Sequence, residues 1–125
     1  MADLRSLIYV SEATRPLSEA DLGAMLYASR AHNATVGVTG LLIFERSVGP
    51  KGRFVQCLEG EGDSVARVFA RRIVGASQHT TIEVVWEGPI ERRDFADWSM
   101  KYARSIDAAP AETTDLLRRT GRLWP

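Results

Sequence analysis

The sequence predicts an α+β fold: one sheet with two helices on a single face in the ferredoxin-like order βαββαβ, extended by a short fifth strand and a C-terminal helix. Three observations lead there. Two segments carry apolar residues at helical spacing, and both lie between short runs rich in β-branched and aromatic residues. Right-handed crossovers in that order place strands one and three side by side at the centre of the sheet. The chain, at 125 residues, is long enough for one core and too short for a sensor with a separate catalytic domain.

Leu4 to Val10 (LRSLIYV) reads as a buried strand. After a turn-rich linker containing Pro16, Ser18 caps the first helix, with Asp21 three residues on and Leu17 and Leu22 as a hydrophobic staple. Leu22, Met25, Leu26 and Ser29 continue at helical spacing, and the helix is expected to stop near Asn33. Val36 to Glu45 and Arg53 to Glu59 read as strands two and three, joined by the turn SVGPKG. Asp63 or Ser64 caps a second helix with Val65, Val68, Phe69 and Ile73 on its core face. Thr80 to Glu87 is a fourth strand, interrupted by Gly88-Pro89, and Asp97 to Tyr102 a short fifth. Pro110 and Gly121 bracket a last helix. The expected division is a sensor-sized domain over 1–102 and a helical extension, 103–125, packing on it.

Sixteen Lys+Arg balance sixteen Asp+Glu, which argues against a nucleic-acid partner. The single cysteine, Cys57, excludes an internal disulfide and a Cys-built zinc site. No apolar run approaches the ~20 residues of a membrane span, and the N-terminus lacks a signal-peptide pattern, so the expectation is a soluble, cytoplasmic domain.

On the central strands, period two puts Leu7 and Tyr9 on one face and Phe54, Gln56 and Leu58 on one face. If these are the helix-covered faces, a hydroxyl and an amide meet in the core. A buried amide without partners costs roughly 1–3 kcal/mol, so Gln56 needs hydrogen bonds. Either Tyr9 and Gln56 satisfy each other, or Gln56 mediates between Tyr9 and a polar group inserted beside it, with Asn33 above. Gly23 inside a helix suggests close packing on the sheet, and Gly37 and Gly40 suggest close approach in a strand; together they suit a cleft made for a flat guest. The usual catalytic patterns are poor. His32 and His79 have no partner at metal-ligand spacing, Cys57 alternates onto the face opposite Gln56, and Gly60-Glu61-Gly62 lacks the lysine of a phosphate loop.

These residues resemble the BLUF domains, flavin-binding sensors of blue light. The resemblance rests on S-L-I-Y-V-S (6–11), P-L-S-E-A-D-L (16–22), S-R-A-H-N (29–33), G-V-T-G-L-L (37–42), F-V-Q-C-L-E-G (54–60) and F-A-D-W-S-M (95–100). It implies FAD, or FMN in its place, held non-covalently between the two helices. Carried over by position, Tyr9 is the electron donor and Gln56 the switching glutamine. Asn33 holds the polar edge of the ring with His32 beside it, Met25 and Ile73 are the apolar jaws, and Arg72 is the basic contact. Trp98 and Met100 are the pair whose in/out exchange relays the signal. Light-driven electron and proton transfer from Tyr9, rearrangement of Gln56 and a red-shifted signalling state are implied with them. The stretch after the second helix departs from the family: Gly75-Ala76-Ser77-Gln78-His79 lacks the usual acid and Arg-His pair and carries one extra residue, so Arg71 is an alternative bearer of the basic role.

The expectation is a stand-alone photoreceptor, not an enzyme. The 25 residues after Met100 are too few for a cyclase, so output passes through a downstream effector protein or through self-association as a homo-oligomer. Two rivals stand beside it: a degenerate, flavin-free protein-interaction module, and a small acylphosphatase-like enzyme. The second needs a phosphate-cradling loop after strand one, for which SEATRPLSEAD is unsuited.

Overall fold

The structure, a computed structural model, describes residues 3–46, 51–76 and 78–104. The elements are β1 (Leu4–Ala13), α1 (Glu19–Val36), β2 (Thr39–Glu45), β3 (Arg53–Glu61), α2 (Gly62–Val68) continuing into a π-helical turn (Phe69–Val74), β4 (His79–Pro89) and β5 (Lys101–Ala103). Most of the SVGPKG turn and the whole of the expected C-terminal helix lie outside the described residues.

The strands form one sheet in the order β4-β1-β3-β2-β5. Each of the first four runs antiparallel to its neighbours among them, and β5 joins β2 in parallel. This is the α+β arrangement expected, with β1 and β3 central. The two faces differ. Leu7, Tyr9, Leu42, Phe54 and Leu58 pack beneath Leu22, Leu26, Val65, Val68 and Ile73 of the helices. Ile8, Leu41, Ile43, Val55 and Cys57 form a second apolar layer behind the sheet, completed by Phe95.

The start of α1 follows its sequence signals. Ser18 Oγ accepts from the Asp21 N–H at 3.0 Å, Asp21 returns an acceptor to the Ser18 N–H at 2.9 Å, and Leu17 and Leu22 are both buried. Its end does not. α1 runs on to Val36 and closes at Gly37 in the left-handed region (φ 70°), so the apolar Val36 and Val38 belong to the helix terminus and its exit, and β2 begins only at Thr39.

Neither Asp63 nor Ser64 caps α2. The helix leaves β3 directly from Glu61 with no side-chain cap, and the Gly62 N–H donates to the Asp3 carbonyl at 3.2 Å instead. The π turn that follows, Phe69–Val74, widens the helix by a residue. β4 continues through Gly88 and Pro89, where a break was expected. Among the described residues it pairs only with β1, and an edge strand tolerates a proline that has no N–H to give. Its register slips twice against β1, once beside Tyr9 and once opposite Ser11, where Thr81 takes φ 54°.

Gly40 earns its place through contact with the sheet and not with a guest: a Cβ there would meet the Cys57 carbonyl oxygen at 2.0 Å. Gly23 has nothing within 4 Å of such an atom, so close helix–sheet packing does not explain it. Among the described residues, no helix is long and apolar enough to cross a membrane.

Candidate functional site

Between α1 and the π turn, above the centre of the sheet, lies a cavity of about 300 Å³. Met25, Ser29 and Asn33, spaced along one face of α1, form one wall. Val68, Arg71, Arg72 and Ile73 form the opposite wall, Leu42 and Gln56 the floor, and Gln78 and His79 one end.

The floor is built by register. Tyr9 and Gln56 are direct partners across β1 and β3, so their side chains rise side by side towards the helices. The Tyr9 hydroxyl donates to Gln56 Oε1, and Gln56 Nε2 donates to the Met100 thioether sulfur at 3.4 Å. Tyr9, Gln56 and Met100 are all buried. Burial holds the Tyr9 phenol well above its ordinary pKa, so it keeps its proton at neutral pH. Tyr9 stands one layer behind the cavity wall, its ring 5.5 Å from Phe69 and 5.9 Å from His79, centroid to centroid.

Asn33 is buried at the inner end of α1, where its Nδ2 donates to the Ser99 carbonyl at 2.9 Å. Its Oδ1 has no partner among the described residues. Nor do the guanidinium groups of Arg71 and Arg72 make an ion pair among them. The cavity therefore offers apolar walls at Met25 and Ile73, unused amide capacity at Asn33 and Gln56, and two cations at its rim, a donor set and shape suited to a flat heteroaromatic ring with a polar edge and an anionic tail.

The structure does not bring all the expected residues together. His32 is absent from the cavity lining: it follows Ala31 on a side of α1 turned about 100° from Asn33, and its carbonyl accepts from Thr35 Oγ1 at 2.6 Å. Arg71 and Arg72 both reach the cavity, because the π turn spreads consecutive residues over one opening. Of the pair near the end, Met100 is inside against Gln56, whereas Trp98 is 47% exposed with the Lys101 ammonium 5.5 Å from its ring.

Some lining residues were given no site role from sequence. Gln78 and His79 enter because β4 begins at His79, earlier than its β-branched run indicates. His79 Nδ1 lies 2.8 Å from Ser11 Oγ, and its ring centroid is 4.5 Å from that of Phe54, the planes tilted by 46°. Burial lowers its pKa to about 4, so it is a neutral imidazole at pH 7.

Comparison with known proteins decides the family. The family described as BLUF, sensors of blue-light using FAD, matches residues 4–101. The chain belongs to the BLUF family.

Among curated relatives, the photoactivated adenylate cyclase subunit beta of Euglena longa is 35% identical over 101 residues, 80% of this chain and 11% of the relative. The subunit of the same name from Euglena gracilis is also 35% identical over 101 residues. The chain thus spans about 11% of the length of these relatives. Among solved structures, the dark state of the BLUF protein BlrB superposes with a TM-score of 0.72 at 30% identity, covering 96% of each chain. The photo-activated state of BlsA superposes with a TM-score of 0.68 at 27% identity, over 94% of this chain and 79% of BlsA. The BLUF family binds flavin, and the cavity between α1 and the π turn has the walls and polar edge for it.

Proposed function

We propose that this BLUF chain binds FAD non-covalently in the 300 Å³ cavity and works as a blue-light switch through Tyr9 and Gln56. The observation that carries this reading is the continuous polar chain from the Tyr9 hydroxyl through the Gln56 amide, which is on the cavity floor, to the Met100 sulfur. Bound flavin supplies the blue absorption and, once excited, the capacity to accept an electron.

Tyr9 is the donor in this reading. Its proton already rests against Gln56 Oε1, and a phenol that gives up an electron becomes a strong acid, so the amide oxygen is the natural receiver. Gln56 both accepts and donates, and return of the charge leaves it free to settle in a second arrangement. That arrangement alters what Gln56 offers to the cavity and to Met100. Asn33 orients the ring edge with its unused Oδ1, Met25 and Ile73 exclude water from the two faces, and Arg71 or Arg72 meets the anionic tail. Placement of His32 outside the lining favours His79 as the imidazole nearest the chemistry.

The module senses light and does not itself catalyse. Its output goes to an effector protein in the cytoplasm or to a second copy of the chain, with Met100 and Trp98 on the route. The test is the visible spectrum of the FAD-loaded protein before and just after blue illumination. Flavin bands that shift slightly to the red and relax in the dark are expected. Tyr9→Phe is expected to keep the flavin and lose the shift, and Gln56→Leu to do the same. A normal, reversible shift in either variant refutes the role given to that residue. A colourless protein that refuses added FAD overturns the reading and leaves a protein-interaction module.

A further inference from the structure

Between β4 and β5 the chain passes from the back of the sheet to the front: Phe95 packs in the rear layer and Met100 in the helix-covered core. Residues 91–100 contain no helix or strand. Their course is set by side chains from elsewhere. Glu59, 2% exposed on β3, is the anchor at one end. Its Oε1 accepts from the Phe95 N–H at 2.7 Å and from the Thr39 hydroxyl at 2.8 Å, and its Oε2 accepts from the Asp94 N–H at 2.9 Å. Arg93 closes the cluster by donating to Thr39 Oγ1 at 2.9 Å and to the Glu59 carbonyl at 3.3 Å.

The other end is tied to α1. Arg30 Nε donates to the Met100 carbonyl at 2.8 Å, one turn before Asn33 takes the Ser99 carbonyl. Between the two ends, the Gly40 N–H donates to the Trp98 carbonyl at 3.1 Å.

A buried carboxyl group is costly to desolvate, and three donors converging on Glu59 offset that cost only while residues 94 and 95 stay in place. Glu59 and Gln56 lie three residues apart on one strand. Arg30 lies on the helix that walls the cavity. Hence the separation of the Met100 sulfur from the Gln56 amide is fixed from both ends by groups that touch neither.

We infer that Glu59 and Arg30 are positioning residues of the light switch: they hold the 94–100 strap so that Met100 meets Gln56, and they set how long the rearranged state of Gln56 lasts. This rests on the photochemical reading above. A glutamine at 59 keeps the size but offers one acceptor oxygen, so one of the two loop N–H groups faces an NH2 and loses its partner. A glutamine at 30 shortens the reach to the Met100 carbonyl.

The experiment uses the full chain loaded with FAD, with Glu59→Gln, Arg30→Gln and Arg30→Lys compared with the parent. Glu59→Gln and Arg30→Gln are expected to keep the flavin and the amplitude of the red shift and to change the dark-recovery rate by about fivefold or more, the effect of one net hydrogen bond. Tryptophan emission in the dark is expected to change with it, and Arg30→Lys to recover closer to the parent. Thermal destabilisation with parental recovery and parental tryptophan emission in both glutamine variants overturns the proposal. Should Glu59→Gln fail to fold, Arg30→Gln decides alone, since Arg30 is exposed on α1. If the parent itself shows no red shift, the photochemical reading has failed and with it the light-switch role. Amide exchange at Asp94 and Phe95 then shows separately whether the strap exists: about tenfold faster exchange in Glu59→Gln keeps the anchor as a structural tie, and equal exchange removes that too.

Discussion

Cys57 and Gln56 are neighbours in sequence with opposite fates. The alternation of β3 turns Gln56 to the cavity and Cys57 to the rear layer, where burial pushes the thiol up to about 12 and Ser6 Oγ lies 3.4 Å from its sulfur. A thiol with that pKa is almost wholly protonated at neutral pH and is a poor nucleophile. Iodoacetamide is therefore expected to leave the folded protein unlabelled at pH 8, in the dark and under illumination, and to label one site after denaturation; mass spectrometry reads both. Labelling of the folded chain at the free-thiol rate disproves the burial. The Tyr9–Gln56 pair was legible because period two and topology suffice to put both side chains on one face of adjacent strands. His79 was not. Its place depends on β4 starting early and on where that strand slips against β1, neither of which leaves a pattern in hydrophobicity. The order of Trp98 and Met100 was likewise beyond the sequence, since both belong to a loop whose path is set by Glu59, Gly40, Asn33 and Arg30 from distant parts of the chain.

At the scale of elements, local chemistry was readable where it was self-contained. Ser18 and Asp21 form their capping box with no help from elsewhere, so α1 begins where its residues say. The start of β2 was misjudged because Val36 and Val38 have strand-like character whether they flank a helix cap or extend a sheet. The π turn was invisible, since periodicity near 3.6 survives one inserted residue over so short a span. Two substitutions test the strand geometry. In Gly40→Ala the new methyl would sit 2.0 Å from the Cys57 carbonyl oxygen, so β2 and β3 must part; a loss of roughly 2–4 kcal/mol in urea unfolding is expected. Thr81 holds φ 54° at the slip in β4, a conformation that costs a β-branched residue about 1–2 kcal/mol. Because glycine loses more chain entropy on folding, Thr81→Gly is expected to be neutral or to gain up to about 1 kcal/mol in the same assay. A clear loss there means that the threonine side chain contributes more than its 3.5 Å contact with Glu12 suggests.

For the molecule as a whole, acid stability follows from His79. Its pKa falls from 6.5 to about 4 on folding because burial disfavours the imidazolium. Between those values the unfolded chain binds a proton that the folded chain refuses, so stability declines as pH drops through 6.5 towards 4 and is unaffected above that window. The shift corresponds to a loss on the order of 3 kcal/mol. Urea unfolding at pH 7 and pH 4.5 is expected to show this decline in the parent and a smaller one in His79→Gln; equal declines remove His79 as the cause. The global topology was legible from element order alone, because handedness and pairing rules leave few ways to arrange βαββαβ. What the sequence withheld was the set of long-range ties that fix loop 91–100, since no local pattern encodes them.

The order β4-β1-β3-β2-β5 also bears on synthesis. Leu4–Ala13 emerges first and waits for two partners, Arg53–Glu61 and His79–Pro89, the second arriving about two-thirds of the way along the chain. Tyr9 and Gln56 are 47 residues apart in sequence, and contacts of that span close late and slowly. A fragment that ends after Arg53–Glu61 thus holds one wall and the floor of the cavity and lacks the opposite wall and the end formed by Gln78 and His79. If the proposed flavin binding holds, protection of added FAD is expected to develop with the last cooperative step of refolding, which makes its uptake a clock for completion of the sheet.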